Sequence, residues 1–357
     1  MSLAEASARA VGEALERYCA LTAVVEPVTA KLRDSIFRDA WPRCNVDEGA
    51  PTPFTTPPLD AALSSVRLRR LSDDTEHSVP VGHVLLRHVP AHPEPPVTIP
   101  ISTGLAFHPD LVKAIWAGLC EVVERDAVMS FWWIHEPRPR IDLRDAPHSL
   151  IERASRLSVR HMAAYLFDVT TELDIPTVFC VLTSPTYPRL VVGAAAKASA
   201  EEACAKALDE VVAMRVALRA QPERRRDDMP VTPPHTLIDH ALYYASDPEH
   251  SAFQDILLTA GSQPFRAFAR RTMSQPSGMG DLRRVAARLE AQGATTLWTD
   301  LTTAEVRAAG RVVKVVIPEL LPLSPRDDVR WLATPALQRR VKAAGKAQFT
   351  AHPHPFA

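Results

Sequence analysis

Two pairs of glutamates are the residues of this sequence best suited to chemistry. Glu13 and Glu16 form one pair, and Glu121 and Glu124 form the other. Residues three apart lie on one face of an α-helix, so each pair sets two carboxylates side by side, at a cost of about 0.2–0.5 kcal/mol from like-charge repulsion. A cation between the carboxylates would remove that repulsion, and Mg²⁺ is typically bound by a few carboxylates together with nucleotide phosphates. The alternative is a solvated helix face on which an adjacent arginine balances the charge.

The pattern around these pairs recurs along the chain. An alanine is followed seven residues later by a glutamate and then by two apolar residues, starting at Ala6, Ala114 and Ala203. The third copy carries a single glutamate, Glu210. Two complete copies and one partial copy favour the metal site over the solvated face. We therefore expect the two pairs to converge on one cleft, where like-charge repulsion raises the pKa of at least one carboxylate.

Composition and charge argue against several classes of protein. The 357 residues carry 41 basic and 42 acidic side chains, a balance that does not suggest a nucleic-acid-binding surface. The sequence has no signal peptide and no apolar run of about 18 residues, so we expect no membrane span. Its five cysteines are far apart and form no C-x2-C pair, which predicts a reduced, cytoplasmic protein without zinc. Neither G-x4-G-K-[ST] nor G-x-G-x-x-G occurs, so a nucleotide would be held by carboxylates and metal rather than by a glycine-rich loop.

Long helices are predicted to carry the glutamates. They extend over 2–25, 111–134 and 200–219, and Asp110 is the expected N-cap of the second helix. Shorter helices are predicted near 147–158, 235–246, 249–260, 281–292, 302–309 and 335–344. Strands are predicted over 79–88, 97–102, 162–169, 176–183, 189–195, 295–299 and 311–317. Prolines and polar residues over 40–78 predict a long irregular connection. The alternation of strands and helices favours an α+β or α/β fold, and we predict a single α+β domain over 1–357 with a mixed sheet.

The chain ends in a proline-rich tail over 345–357. Its final residues are His352, Pro353, His354, Pro355, Phe356 and Ala357. Alternating prolines are incompatible with helix and sheet and favour an extended polyproline conformation. One interpretation is a frayed terminus. The other is a segment that runs along the protein toward the carboxylate cleft, where a histidine with an ordinary pKa of about 6.5 would shuttle a proton.

Several of these motifs together resemble the YcaO family. The sequence S-T-G-L-A at 102–106 leads into E-x-x-E-R-D-A at 121–127, and this combination is similar to the family signature. The E-x-x-E-R at 13–17 resembles the first acidic motif of the family. Further similarity lies at 207–210 for the third motif, at 300–302 and 312–318 for a late strand segment, and at 352–357 for the tail of the azoline-forming branch.

The resemblance implies an enzyme that uses ATP and Mg²⁺ to modify a ribosomally made precursor peptide, such as a bacteriocin or antibiotic precursor. A Cys, Ser or Thr side chain attacks the preceding amide carbonyl, ATP phosphorylates the oxyanion, and loss of phosphate leaves a thiazoline or oxazoline. The metal ligands carried over from the family are Glu13, Glu16, Glu121, Glu124 and Glu210. The candidate nucleotide contacts are Arg17, Arg125, Arg215 and Lys314, the last at a position where the family often has arginine. Pro353, Pro355 and Ala357, with the histidines His352 and His354, are the catalytic candidates in the tail.

The resemblance leaves other functions open. Thioamide formation and amidine macrocyclisation activate an amide by the same ATP chemistry with a different nucleophile. A catalytically weak scaffold subunit would bind peptide without turnover, whereas an enzyme would release phosphate or ADP only when peptide is present. A small-molecule kinase is disfavoured because the sequence has no glycine-rich loop.

The family pattern also implies partners. We expect a separate ThiF-like protein to bind the leader peptide, a flavin-dependent dehydrogenase to oxidise azoline to azole in some pathways, and a homodimer as one option for the assembly. The chain departs from the family pattern at Arg9, Pro109, Lys113 and Ala213, and the glycine- and lysine-containing segment before the first motif is missing. Either the true start lies upstream, or a partner completes the nucleotide pocket, or the nucleotide site is weakened.

Overall fold

The computed structural model describes residues 3–44, 54, 56–88, 94, 98–158, 160–221, 234–247, 250–259, 261–346 and 348–356. The chain divides into two compact units, and each is described by itself below. The first unit comprises Met1–Asp126, Pro276–Leu323 and Trp331–Arg339. The second unit comprises Ala127–Gln275, Ser324–Arg330 and Arg340–Ala357. No helix of the described ranges is long and apolar enough to cross a membrane.

Strands and helices follow one another along the chain. The strands are β1 (Val28–Lys31), β2 (Ala62–Arg70), β3 (Glu76–Pro80), β4 (Leu105–His108), β5 (Arg140–Asp142), β6 (Ala163–Asp168), β7 (Thr177–Thr183), β8 (Leu190–Ala196), β9 (Ser262–Pro264), β10 (Leu297–Asp300) and β11 (Arg311–Val316). The helices are α1 (Leu3–Thr22), α2 (Leu111–Ile134), α3 (His148–Ser158), α4 (Ala200–Arg219), α5 (Leu237–Ala245), α6 (Ser251–Thr259), α7 (Phe265–Ala269), α8 (Met279–Glu290) and α9 (Pro335–Ala343).

The first unit is built on an antiparallel sheet. The strand order is β1-β2-β10-β11-β4, and β3 pairs with Ser65–Arg69 of β2. β11 lies between β10 and β4, and the register places Lys314 opposite Leu105 of β4. Leu63, Leu68, Leu297 and Val312 from these strands are buried in one apolar cluster. The pairing of β11 with β4 thereby fixes the position of Lys314 in the first unit.

Helices α1 and α2 bring the two glutamate pairs to this sheet. α1 packs on β4, and Gly12 permits the close approach because a Cβ there would lie 3.3 Å from the Phe107 ring. α2 begins after Asp110, whose carboxylate accepts a hydrogen bond from the Lys113 amide at 2.9 Å, as the predicted N-cap requires. Because both helices meet β4 or its neighbour β11, their glutamates enter the same unit.

Two glycines set the distance between α2 and β11. A Cβ on Gly118 would lie 2.7 Å from the carbonyl oxygen of Gly104 and 2.9 Å from a methyl group of Val315. Gly104 itself has a φ of +84°, in the left-handed region that favours glycine, and a Cβ there would lie 2.1 Å from the Val315 carbonyl oxygen. A larger residue at either position would push the helix away from the strand.

The second unit contains a mixed sheet. Its strand order is β8-β7-β6-β5-β9, with β5 and β9 parallel and the other pairs antiparallel. α4 packs across β7 and β8, and Gly193 of β8 admits it because a Cβ there would lie 2.8 Å from the Glu210 Cβ. Val178, Cys180, Cys204 and Val211 form part of the buried core between them.

The structure confirms most of the predicted elements and the prediction of an α+β fold with a mixed sheet, with two sheets rather than one. The strand predicted over 79–88 is wrong beyond Pro80, where β3 ends and a 3₁₀ turn over Val81–His83 follows. The prediction of an irregular connection over 40–78 is wrong, because Ala62–Arg70 forms β2 beyond the last proline of that stretch. The strand predicted over 97–102 is wrong for the described residues 98–102; the pairing with β11 begins instead at Leu105. The helix predicted over 302–309 is a series of turns, and the Thr302 hydroxyl at its start donates to the Asp300 carboxylate and accepts the Val312 amide.

The contact at Gly118 predicts an unusual effect of a helix-favouring substitution. Gly118→Ala should lower the free energy of unfolding by about 1–3 kcal/mol, because overpacking against Gly104 and Val315 outweighs the better helix propensity of alanine. Urea denaturation measures the change. Gly280→Ala in α8 is the matched control, since its Cβ would meet only an arginine tip at 3.9 Å and should leave stability equal or higher. Equal stability of the Gly118 variant and the wild type would contradict the close approach.

Candidate active site

Glu16 is the member of the first glutamate pair that turns toward the sheet. It is partly buried on α1, and the Phe107 backbone amide donates a hydrogen bond to its carboxylate. Glu13, one turn earlier, is 68% exposed and forms an ion pair with Arg17 at 3.6 Å. The pair therefore splits, with Glu16 inside the unit and Glu13 at its surface.

The second pair is less exposed. The Glu121 carboxylate accepts a hydrogen bond of 3.1 Å from the Gly104 amide. The Arg125 guanidinium lies 3.9 Å from Glu121 and 3.8 Å from Glu124, whose side chain is only 15% exposed. Asp126, the next residue, is fully buried and accepts the Leu321 amide at 2.8 Å. The motif at 121–126 thus contacts both the turn before β4 and the chain after β11.

Lys314 is buried beside these carboxylates. Its ammonium group donates to the carbonyl oxygens of Ile101 at 2.9 Å and Thr103 at 2.8 Å. Ile101 precedes the turn that contains Gly104, and Thr103 lies within it. The residue expected to contact a nucleotide therefore also positions the S-T-G-L-A turn.

The pKa values of this group reflect burial and mutual charge. The pKa of Glu16 is raised from 4.5 to about 7, first by burial and then by the negative charge of Glu121. The pKa of Lys314 is lowered to about 8 by burial, against the attraction of Glu121 and Glu16. The raised carboxylate pKa has the direction that we expected, although burial contributes more to it than like-charge repulsion.

The donor set suits Mg²⁺ held jointly with phosphates. In the described part of the chain, no three or more His, Cys, Asp or Glu side chains form a ready-made metal cage. Mg²⁺ does not need such a cage, because it usually takes one or two carboxylates, several waters and phosphate oxygens. Glu16 and Glu121 supply neighbouring carboxylates, and the buried Nε of Arg125 has no hydrogen-bond partner among the described residues. A divalent cation would remove the repulsion between the two carboxylates, and a phosphate oxygen would accept a hydrogen bond from the Arg125 Nε.

Glu210 and Arg215 belong to the second unit. Glu210 is paired with Lys206 one turn earlier on α4. Arg215 is buried and donates to the carbonyl oxygens of Thr186 and Pro188 and to the Thr186 hydroxyl. Within this unit Arg215 therefore holds the loop between β7 and β8.

Side-chain donors hold the tail along the second unit. Four consecutive carbonyl oxygens each accept a hydrogen bond, and the donors come from α2, from α5 and from the segment before α9. The pairs are Arg330 to Ala351 at 3.0 Å, Trp132 to His352 at 3.1 Å, Tyr244 to Pro353 at 2.5 Å and His240 to His354 at 2.7 Å. We call these four side chains the carbonyl clamp. Phe356 is 4% exposed and packs on the Phe179 ring at 5.5 Å, so the described part of the tail is not frayed.

The clamp determines which ring nitrogens of two histidines carry protons. A carbonyl oxygen only accepts, so His240 must donate from Nδ1 to His354. His354 is fully buried; its Nε2 donates to the Ser324 carbonyl and its Nδ1 accepts the Phe356 amide at 3.2 Å. The two rings stack in parallel, with centroids 3.8 Å apart. Burial lowers the pKa of His240 to about 4, which keeps that ring neutral above pH 5.

The two tail histidines that were predicted to shuttle a proton differ in their hydrogen bonds and exposure. Both ring nitrogens of His354 are bonded to backbone groups, whereas the His352 ring is partly exposed and meets the His250 ring edge-on at 5.0 Å. Sequence reasoning missed Tyr244 and His240. The available signal was their i,i+4 spacing, which places two polar side chains on one face of the apolar helix α5.

Comparisons with known proteins agree with this architecture. The family described as YcaO cyclodehydratase, ATP- and Mg²⁺-binding, matches residues 1–321. No curated protein matches the chain in sequence. A solved heterocyclase in complex with substrate and cofactor has a TM-score of 0.74 at 20% identity and covers 97% of this chain and 47% of that one. The heterocyclase TruD has a TM-score of 0.68 at 21% identity and covers 99% and 51%.

A third similar structure is the E. coli microcin synthetase McbBCD complex with pro-MccB17 bound. Its TM-score is 0.59 at 14% identity, covering 87% of this chain and 78% of that one. At these identities the likeness establishes the fold. The chain spans about half the length of the first two structures.

The raised pKa of Glu16 predicts a pH-dependent effect of neutralising it. A carboxyl whose pKa is higher in the folded protein stabilises the fold most below its unfolded pKa of 4.5, and this contribution is lost as the pH rises through 7. Glu16→Gln should therefore raise the stability of the metal-free protein at pH 8 by about 2 kcal/mol and change it little at pH 5. Thermal denaturation at the two pH values measures this. A variant no more stable than wild type at pH 8 would contradict the buried, repelled carboxylate.

The carbonyl clamp predicts a difference between two adjacent tyrosines. Tyr244→Phe removes the donor to the Pro353 carbonyl and leaves it buried and unpaired, at a cost of about 1–3 kcal/mol. Hydrogen exchange at the His354 and Phe356 amides, together with carboxypeptidase digestion, should show a loosened tail. Tyr243→Phe is the matched control on the same helix and should leave the tail protected. Equal protection in both variants would mean that the clamp does not hold the tail.

Proposed function

This chain belongs to the YcaO family, whose members are described as ATP- and Mg²⁺-binding cyclodehydratases, and we propose that it converts Cys, Ser or Thr residues of a ribosomal precursor peptide into thiazolines or oxazolines. The observation that carries the proposal is the group formed by Glu16, Glu121 and Lys314 in the first unit. Two neighbouring carboxylates beside a buried ammonium make a site for cations and phosphates that needs no glycine-rich loop. The similarity to the microcin synthetase complex with pro-MccB17 bound supports a precursor peptide as the substrate class.

In the proposed reaction, some residues of the chain would bind the charged groups and others would hold the site in position. Bound ATP with Mg²⁺ would supply the phosphoryl group that turns an amide oxygen into a leaving group. Glu16, Glu121 and Glu124 would hold the metal, and Arg125 would direct at a phosphate oxygen its Nε, which has no partner among the described residues. Lys314 would keep the turn at 101–104 in place and add positive charge where negative charge develops.

Other residues enter the proposal with supporting roles. We assign Glu13 and Glu210 to metal binding, and Arg17 and Arg215 to phosphate contact, by their place in the family motifs. Pro353, Pro355 and Ala357 would fix the end of the tail, and His352 rather than His354 would move a proton, because both His354 ring nitrogens already bond to the backbone. The resemblance of this tail to that of the azoline-forming branch favours azoline over thioamide or amidine products.

The proposed enzyme works with partners in the cytoplasm. A separate ThiF-like protein would bind the leader of the precursor peptide and present it, and a flavin-dependent dehydrogenase would act afterwards in pathways that make azoles. The solved microcin synthetase is a McbBCD complex with pro-MccB17 bound, which supports a precursor peptide and a multiprotein assembly as the setting. A homodimer is compatible with this arrangement.

A charge-only substitution tests the metal role. Glu124→Gln keeps the shape of the side chain and removes one negative charge, so peptide-dependent ATP turnover should fall by about 100-fold or more. Phosphate release with and without precursor peptide and partner protein measures the effect. The control is Glu202→Gln at the exposed start of α4, which should retain wild-type turnover. Near-wild-type turnover with unchanged Mg²⁺ dependence in the Glu124 variant would refute the role.

Removal of the tail tests the azoline assignment. Deleting residues 352–357 should reduce azoline formation by about 100-fold, because a misplaced attacking group loses the benefit of orientation, while nucleotide binding stays within a few-fold. Mass spectrometry counts the loss of 18 Da per ring, and calorimetry measures nucleotide affinity. Ring formation at the full rate by the truncated protein would remove the main support for azoline over thioamide formation.

A further inference from the structure

A separate pocket opens in the first unit beside Lys314. It encloses about 640 Å³, its open mouth included. Gly82, His83, Thr98 and Ile99 lie at the mouth, where all four are partly exposed. The inner wall is apolar and buried and includes Phe37, Val122, Leu321 and Trp331. Apart from Lys314 and the carbonyls that it binds, the lining residues carry none of the roles assigned above.

The pocket wall contains one imidazole, that of His83. The His83 ring stacks on Phe37 with centroids 4.3 Å apart, and Trp41 meets it edge-on at 5.6 Å. These contacts fix the ring, yet its buried Nε2 has no hydrogen-bond partner among the described residues. Burial and the nearby charge of Lys314 lower the pKa of His83 to about 3, so the ring is neutral and offers one hydrogen bond without charge. A ligand whose polar tip reached this nitrogen would satisfy it.

Lys314 connects the pocket with the carboxylates. It lines the pocket and interacts electrostatically with Glu16 and Glu121. Two of its three N–H groups are taken up by the carbonyls of Ile101 and Thr103. The pocket therefore adjoins the proposed reaction site at Lys314, and its inner wall beyond that residue is largely apolar, which suits an aromatic ring.

We propose that this pocket binds an aromatic side chain with a hydrogen-bonding tip, such as tyrosine, from the precursor peptide next to the residue that is cyclised. The proposal rests on the proposed function for the identity of the substrate. Its apolar lining would remove the ring from water, and the His83 Nε2 would hydrogen-bond to the tip. The pocket would thus select peptides by the residue beside the reacting one. The rival occupant is the base of a nucleotide.

Ligand binding without ATP or Mg²⁺ tests the proposal directly. The probes are N-acetyl-tyrosinamide, N-acetyl-phenylalaninamide, N-acetyl-glycinamide and adenosine, titrated by ligand-observed NMR on the full chain. Tyrosinamide should bind about three- to tenfold more tightly than phenylalaninamide, as one additional hydrogen bond predicts, and glycinamide should not bind. Equal binding of all the amides would overturn the proposal.

Two variants and a control localise the binding. Ile99→Trp fills the mouth and should weaken tyrosinamide binding at least tenfold, whereas Val24→Trp adds the same residue at a position that is 97% exposed and should have no effect. His83→Phe keeps a ring against Phe37 and Trp41 and should abolish the preference for tyrosine over phenylalanine. If Ile99→Trp instead weakens adenosine and leaves tyrosinamide binding unchanged, the pocket is a nucleotide-base site and the proposal is wrong.

Different experimental results would refute the proposed pocket ligand and the proposed enzyme activity. Peptide-dependent ATP turnover without any binding of tyrosinamide would refute the pocket and leave the enzyme assignment intact. Binding of tyrosinamide with no turnover on any precursor peptide would refute the enzyme assignment. A wild-type protein that cyclises Tyr-flanked and Gly-flanked peptides with equal KM would refute the selective role.

Discussion

The buried ammonium group of Lys314 is the interaction on which the first unit depends. A lysine that is 2% exposed is tolerated only if its hydrogen bonds and charge are satisfied inside the protein. The carbonyls of Ile101 and Thr103 satisfy the hydrogen bonds, and Glu121 and Glu16 supply the opposite charge. The turn at 101–104 is therefore held by the same group that attracts the carboxylates. The Gly104 amide at the end of this turn in turn orients Glu121.

Close backbone approach makes this arrangement rigid. Gly118 and Gly104 let α2 lie directly on β11, where no Cβ would fit. Carboxylates delivered by a packed helix are positioned more precisely than carboxylates on a loop, because neighbouring atoms restrict their rotamers. The raised pKa of Glu16 is a consequence, since a partly buried carboxylate facing another negative charge cannot relax away from it. Binding of a cation would remove this repulsion, so the site favours cations.

The second unit satisfies backbone carbonyls with side-chain donors in the same way. Proline has no N–H group, so the carbonyls are the main hydrogen-bonding groups of a proline-rich tail. The carbonyl clamp pairs four of these carbonyls in a row with donors from arginine, tryptophan, tyrosine and histidine. Because the clamp contacts backbone atoms, it depends more on the extended conformation of the tail than on its side chains. His354 is the exception, since both of its ring nitrogens are used.

Local patterns in the sequence were sufficient for the long helices, for β6, β7 and β8 of the second sheet and for the two glutamate pairs, but not for the short strands β5 and β9. Helical periodicity, the Asp110 cap and runs of β-branched residues act over a few neighbouring residues, and the sequence displays them directly. The irregular connection over 40–78 shows the limit of such patterns. The serines and arginines of β2 did not indicate a strand in that stretch. This segment is a strand because it pairs with β1, β3 and β10 rather than because of its own residues.

Only the tertiary structure decided which residues of each motif face one another. Glu16 is inside the first unit and Glu13 at its surface because α1 packs on β4 in one orientation, which the spacing of the pair does not specify. Pairing of β11 with β4 places Lys314 opposite Leu105, and from this position its ammonium group donates to the turn at 101–104. Tyr244 and His240 hold carbonyls 109 and 114 residues away in the sequence. The sequence by itself determined the chemical groups and the helices that carry them, and long-range packing determined their partners, because contacts between distant residues form only when the whole unit is folded.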